Sequence, residues 1–285
     1  MAKPRAILKR RKAVSNIAKI TRTMQLIATA KFKRAMDRAV AARPYTDRLT
    51  RLIADLSAAA GDFQHPLLDA REPKRVAVLA IASNRGLCGG YNSNVTRQVM
   101  NLRRELAKRE LPYEMHVSGK KLAAQLVFQG ATVDQRYLQF EDRPTFAQVD
   151  EVAAPLIQRY VAGELDEVHV VYTKFESASR QSAVVERVLP LERPAAGEAT
   201  REFEYHPDAA TILSDLLPRS VRLHMFQAFL DAAVSEQVAR MVAMKSATDN
   251  ASEMIRDLTM LYNRSRQTLI TTELSEIIGG TAALE

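Results

Sequence analysis

RSVRLHMFQAFLDAAVSEQVARMVAMKSATDNASEMIRDLTMLYNRSRQTLITTELSEII, residues 219–278, contains neither glycine nor proline. The same is true of RAILKRRKAVSNIAKITRTMQLIATAKFKRAMDRAVAAR, residues 5–43. Both stretches far exceed the roughly 8–20 residues of a globular helix. At 1.5 Å per residue they would extend about 90 Å and about 58 Å. No core needs helices of that length. They predict two arms that span a distance or transmit force, with a compact domain inserted between them.

In the N-terminal arm Ile7, Val14, Ile17, Ile20, Met24, Ile27 and Ala28 recur at steps of three and four. That is the narrow seam of a coiled coil rather than the broad stripe of a globular helix. Pro44 is expected to kink or end this helix near Arg43, with the pattern resuming at Leu49, Leu52, Ile53 and Leu56 and stopping by Gly61. The C-terminal arm carries Phe226, Phe229, Leu230, Ala233, Val234, Val238, Met241, Met244, Ala251, Ile255, Leu258, Leu261, Leu269, Leu274 and Ile277 on its seam. Residues 239–252 are rich in Ala, Met, Ser and Thr, so close packing is expected there. Two such arms flanking one domain pair only if they run antiparallel.

Between the arms the pattern changes. Residues 76–82 read as a buried strand, followed by the turn Ser83-Asn84-Arg85-Gly86-Leu87-Cys88-Gly89-Gly90 and a helix capped near Asn92 or Ser93 that runs to Arg109. Strands are expected at 113–117, 167–175 and 183–191, with helices at 120–128 and 146–162. Strands alternating with helices imply a mainly parallel, Rossmann-like sheet. The expected organisation is an N-terminal coiled-coil helix over 1–60, an inserted α/β domain over 70–212 and a C-terminal coiled-coil helix over 213–285.

Composition narrows the function classes. Residues 1–38 hold twelve Lys or Arg against the single acid Asp37, a local charge of +11 within a total of +8. A cationic helix of that density expects an acidic partner: nucleic acid, anionic lipid or an acidic protein surface. Its cations lie on several faces, with no aromatic platform for stacking bases. The single Cys88 excludes an internal disulfide and suits a reducing compartment. The N-terminus has no apolar run of the secretory type. Its Arg-rich composition matches a mitochondrial transit peptide, but the helical pattern continues into Phe32 and Met36, which favours a bacterial cytoplasmic protein.

No catalytic site assembles from the residues. The Gly-rich turn lacks both the G-x-G-x-x-G spacing of a dinucleotide site and the Gly-Lys-Ser/Thr of a phosphate loop, so a tight turn or a partner-contact loop is the better reading. Cys88 has no companion base, and none of the His or Cys residues fall at metal-ligand spacing. Glu273 and Glu276 share a helical face, where solvation or a partner is the usual explanation. No cofactor is expected.

Four blocks in order resemble the gamma-subunit family of the rotary ATP synthases. They are Asn16, Lys19-Ile20-Thr21, Met24 and Ala28-Thr29-Ala30-Lys31; then Arg85-Gly86-Leu87-Cys88-Gly89-Gly90 with Asn92; then Arg240 to Lys245 with Ala247-Thr248-Asp249-Asn250; then Tyr262-Asn263, Arg266-Gln267 and Ile270-Thr271-Thr272-Glu273-Leu274-Ser275-Glu276-Ile277. Leu8, Arg11, Asn84, Tyr91, Thr272 and His206 depart from the usual family residues. The resemblance implies a long antiparallel coiled coil with an inserted Rossmann-like α/β domain. It implies a non-catalytic rotor shaft, one copy per complex, coupling proton flow to ATP synthesis. The implied partners are the hexameric ring of alpha and beta subunits, the epsilon subunit and the membrane c ring. The implied location is peripheral, on the cytoplasmic face of a bacterial inner membrane. By the same resemblance Met24, Arg266, Gln267 and Thr271 contact the ring, Arg85, Gly86, Leu87, Cys88, Gly89 and Gly90 meet an acidic lever segment of the beta subunit, and Tyr205 and His206 lie near the foot. The competing readings are a basic coiled-coil protein that binds nucleic acid or membrane, and a Rossmann-like enzyme with helical arms.

Overall fold

The computed structural model describes residues 4–60, 63–192, 206 and 208–282. The elements in chain order are α1 (Pro4–Ala60), β1 (Val76–Ile81), α2 (Tyr91–Lys108), β2 (Tyr113–Ser118), α3 (Lys120–Phe128), β3 (Gln135–Tyr137), α4 (Phe146–Val161), β4 (Glu167–Phe175), β5 (Gln181–Leu189) and α5 (Ala209–Ala282). The chain forms two compact units, Thr29–Ala239 and Met1–Ala28 with Arg240–Glu285, so each long helix contributes to both.

The unit Thr29–Ala239 is built on a sheet of order β3-β2-β1-β4-β5. β1 pairs parallel with β2 and β4, β2 with β3, and β5 runs antiparallel to β4. β1, VAVLAI, is buried along its whole length, as a strand covered on both faces must be. Its side chains alternate. Ala77, Leu79 and Ile81 face α4 (Val149, Val152, Leu156, Tyr160) together with parts of both long helices: Leu49, Ile53 and Leu56 of α1, and Leu213, Leu217, Val221, Met225 and Phe229 of α5. Val76, Val78 and Ala80 face Val95, Val99, Leu102 and Leu106 of α2 and Leu122 and Leu126 of α3. The result is a three-layer α/β sandwich one of whose outer layers comes largely from the chain's two ends.

Several local expectations shift. β3 is an additional three-residue edge strand, too short to show alternation. β5 ends two residues earlier than read, at Leu189. α2 starts at Tyr91 with Gly90 as its cap residue, because Asn92 does not cap the helix. Its Oδ1 accepts instead from the Ser83 amide at 3.1 Å, turning the side chain back onto the preceding loop. α4 carries a reciprocal capping box between Thr145 and Gln148.

Pro44 neither ends nor bends α1 into two helices; the helix runs through it to Ala60. Pro44 and Val40, whose carbonyl loses its donor, both lie on the exposed side, where water replaces the missing hydrogen bond. α5 likewise runs through Pro218 from a start at Ala209. That start is fixed by Asp208, which accepts from the Thr211 amide at 2.9 Å and from its hydroxyl at 2.7 Å. Within this unit Ala35 and Ala39 of α1 pack with Leu230, Val234 and Val238 of α5 and with Phe175 of β4.

In the other unit the two helices pair antiparallel: Arg11 lies over the Tyr262 ring at 5.6 Å, while Thr21 meets Thr248 hydroxyl to hydroxyl at 2.8 Å. The seam differs from the one read in the sequence. Ile7, Val14, Thr21 and Ala28 are its buried residues on α1, seven apart, with Arg11, Ala18 and Gln25 half-buried between them. Met244, Ala251 and Leu258 keep the same spacing on α5. Ile17, Ile20, Met24 and Ile27 of α1 and Leu261, Leu269, Leu274 and Ile277 of α5, assigned to the seam by sequence, are exposed instead. The facing run of α5 is made of small and hydroxyl residues, and a contact as close as Thr21–Thr248 favours small partners on α1. The strict seven-residue repeat takes in Ile7 and Val14 and leaves Ile17, Ile20 and Ile27 outside.

Candidate partner-binding surfaces

The paired helices carry an unusual surface. Ile17, Ile20, Leu26 and Ile27 of α1 are 50–58% exposed, Met24 is 37% exposed, and Val242, Met254, Met260 and Leu261 of α5 are exposed as well. Isolated exposed aliphatics are ordinary, but a run along one pair of helices marks an interaction surface. Arg5, Lys9, Arg10, Lys12, Lys19 and Arg22 are exposed on the same helix, and among the described residues none of them forms an ion pair. The surface is therefore amphipathic and cationic.

Toward its C-terminal end α5 changes character. Every described side chain from 269 to 279 is exposed, including Leu269, Ile270, Leu274, Ile277 and Ile278. Arg266, Gln267 and Thr271 sit at the start of this stretch and are exposed; the Thr271 hydroxyl donates to the Gln267 carbonyl at 3.0 Å, which leaves its methyl outward. A helix that buries no apolar face against its own chain is stable only with help from elsewhere.

The Gly-rich loop forms a second surface, in the Thr29–Ala239 unit. Of the loop's glycines only Gly89 (φ 56°) uses a left-handed conformation; Leu87, not a glycine, shares it at φ 63° and holds its side chain 60% exposed. Cys88 is 2% exposed and faces inward, with its Sγ 3.7 Å from the Ser83 hydroxyl and accepting from Asn92 Nδ2 at 3.4 Å. Arg85, Gly89 and Gly90 are exposed and Gly86 is half-buried. Cys88 thus supports the loop from within, and Arg85 and Leu87 are its outward side chains. Asn84 secures the outside, donating to the Phe140 carbonyl and accepting from the Lys120 amide at 2.9 Å. Phe140 packs against Phe229 of α5 with the rings tilted by 32° and their centroids 4.3 Å apart. Two residues beyond, Asp142 pairs with Lys31 of α1 and accepts from Gln237 of α5 at 3.0 Å. Neither Asn84 nor Asp142 was singled out as a support in the sequence, because their partners lie 36 to 111 residues away.

Titratable clusters elsewhere are part of the fold. Glu114 takes a bidentate contact from Arg159 at 2.6 and 3.1 Å and a third from His116 at 3.0 Å. Burial pushes the Glu114 carboxyl up, but the hydrogen bonds from Arg159 and His116 outweigh it and hold it below the usual range. Asp231 of α5 is nearly inaccessible; burial raises its pKa, and the Gln227 hydrogen bond and the Arg43 charge offset that only in part. Among the described residues there is no group of His, Cys, Asp and Glu able to hold a metal, and no helix long and apolar enough to cross a membrane. His206 is exposed, while Tyr205 lies outside the described residues.

The family model described as ATP synthase matches residues 3–284. The ATP synthase gamma chain of Rhodopirellula baltica is 48% identical over the full length of both chains. The gamma chain of Dehalococcoides mccartyi is 40% identical, again over both full lengths. Among solved structures, a chain of the Euglena gracilis mitochondrial ATP synthase in the assembly of OSCP, F1 and c ring aligns with a TM-score of 0.69 at 22% identity, covering 99% of this chain and 94% of that one. A chain of the Tetrahymena thermophila mitochondrial ATP synthase central stalk and c ring aligns with a TM-score of 0.59 at 20% identity, covering 80% and 99%.

Proposed function

The chain belongs to the ATP synthase gamma-chain family, the non-catalytic central stalk of the rotary enzyme, and from that premise we propose how its surfaces work. The paired helices stand inside the alpha–beta ring, and the exposed end of α5 turns within an apolar sleeve at its centre. Met24, Arg266, Gln267 and Thr271 touch the ring, and the loop of Arg85, Gly86, Leu87, Cys88, Gly89 and Gly90 meets an acidic lever of a beta subunit. Tyr205 and His206 lie toward the c ring and the epsilon subunit, on the cytoplasmic face of a bacterial membrane.

The observation that carries this reading is the surface of the paired helices. Its seam takes in Thr21, Ala28 and Ala251 beside Ile7, Val14, Met244 and Leu258, while Ile17, Ile20, Ile27 and Leu261 remain outside. A monomer gains nothing from that arrangement. Inside a sleeve, the same side chains form the bearing and the contact faces. The helices are not identical, so each of three beta subunits meets a different face. Unequal contacts favour a different conformation and nucleotide affinity at each site. Turning the shaft moves that pattern from one site to the next, which links torque to the binding and release of nucleotide.

The test is a tagged pull-down from membranes of the source cell, with ATP hydrolysis assayed on the eluate. Alpha and beta subunits recovered in about a 3:3:1 ratio with this chain, with activity, are expected. A chain recovered alone, or with nucleic acid only, would overturn the proposal.

A further inference from the structure

The strongest charged feature that the site above leaves unused is the first turn of α3. Lys120 and Lys121 are both exposed there, and among the described residues neither forms an ion pair. This is a poor place for two cations, because the helix dipole favours anions at that end, and the turn holds no acid. The fold nevertheless holds them against the Gly-rich loop. The Lys120 amide donates to Asn84 Oδ1 at 2.9 Å and the Lys121 amide to the Ser83 carbonyl at 3.2 Å. Gly119, at φ 118°, makes the approach possible: a methyl group there would stand 2.5 Å from the Ala82 carbonyl oxygen. A methyl on Gly86 would stand 3.9 Å from Lys121 Cε, so the lysine's stem runs beside the loop.

Two lysines and the outward Leu87 therefore share one edge of the sandwich, with Arg85 beside them. Arg85 borders a crevice that also contains Glu141 and Glu236, so acid already lies on its side of the loop. The crevice reaches toward α3 through Asn84 and Ser118, yet among the described residues neither Lys120 nor Lys121 forms an ion pair with Glu141. We infer that Lys120 and Lys121 complete the docking surface of the Gly-rich loop, and that they receive carboxylates of an acidic partner segment whose apolar residue covers Leu87. Local stability is given up at the helix end to hold charge where a partner supplies the opposite sign. The inference rests on the rotor reading, in which that segment belongs to the ring.

The experiment treats the purified, assembled complex with a water-soluble carbodiimide, which joins a lysine amine to a contacting carboxylate as an amide, and identifies the joined peptides by mass spectrometry. An amide from Lys120 or Lys121 to an Asp or Glu of a ring subunit is expected. It should be lost in the Lys120→Arg/Lys121→Arg variant, which keeps the charge but has no coupling amine. Lys120→Glu/Lys121→Glu should lower proton pumping relative to ATP hydrolysis, and Arg97→Glu, an exposed charge change on α2, should leave that ratio unchanged. Amides only to Glu141 or Glu236 of the same chain, or none while other subunit pairs cross-link, would overturn the inference. A complex lacking alpha and beta subunits would overturn the rotor reading and this inference with it, a failure recognisable before any cross-linker is added.

Discussion

The two compact units use apolar residues in opposite ways. In the sandwich, Val76, Val78, Leu79, Ala80, Val170 and Val171 are wholly inaccessible. Along the paired helices burial does not follow bulk: Ala28 and Thr21 are inside together with Ile7 and Val14, and Ile17, Ile20 and Ile27 are outside. The first pattern belongs to a unit that supplies its own core. The second belongs to a unit whose most hydrophobic surface is completed by something else. One chain therefore joins a self-sufficient fold to one that is finished only on assembly.

That contrast can be broken most directly in the sandwich. Leu79→Ala is expected to cost about 2–5 kcal/mol in chemical denaturation, since the site is sealed on both sides of the sheet. A cost near zero would mean that this core is as loosely held as the helix pair. Next, Gly119→Ala should cost ~2–3 kcal/mol, from the left-handed backbone together with the clash at the Ala82 carbonyl. An unchanged midpoint would show that the α3 start is free to retreat from the loop.

Glu114→Gln should cost about 1–2 kcal/mol at neutral pH by weakening the Arg159 pair. Because the folded carboxyl titrates below its ordinary range, the contribution of the native Glu114 stands above a pH of about 4.3 and is lost as pH falls through the lower folded value. A pH series of denaturation midpoints in which native and Glu114→Gln chains converge on acidification checks the sign. Asp231 works in the other sense. Its folded pKa is raised, so its contribution is present below the ordinary carboxylate value and disappears as pH rises through the folded one, leaving a buried charge as a cost at neutrality. Asp231→Asn should therefore raise the neutral-pH melting temperature by a few degrees; a fall would mean that the Arg43 charge outweighs the burial. The smallest effect belongs to the helix pair. Ile27→Ala should change the stability of the isolated chain by no more than ~0.5 kcal/mol, yet reduce recovery of the complex in the pull-down.

What the sequence disclosed follows the same division. The long helices were legible because glycine and proline are absent, and the strands because short apolar runs end at Gly or charged turns. The face of the helices was not legible. Ile17, Ile20, Met24 and Ile27 read as seam because periodicity weights bulk, whereas the close approach of α5 selects Ala28 and Thr21. Pro44 read as a kink or end because the sequence does not say which carbonyls face water. At the Gly-rich loop the residue types were informative and their orientation was not: Cys88 turns in, Leu87 turns out, and the supports Asn84, Phe140 and Lys120 come from three separate segments.

The layer formed jointly by α1 and α5 also sets an order of events during synthesis. Leu49, Ile53 and Leu56 leave the ribosome before the sheet, but Leu213 to Phe229 leave after every strand has been made. Until then the face bearing Ala77, Leu79 and Ile81 lacks part of its cover, for a few seconds at roughly 5–20 residues per second. The nascent chain is consequently most vulnerable when its sheet is complete and its last helix is not, and a chain arrested after β5 has emerged but before α5 has would display that face to chaperones and proteases.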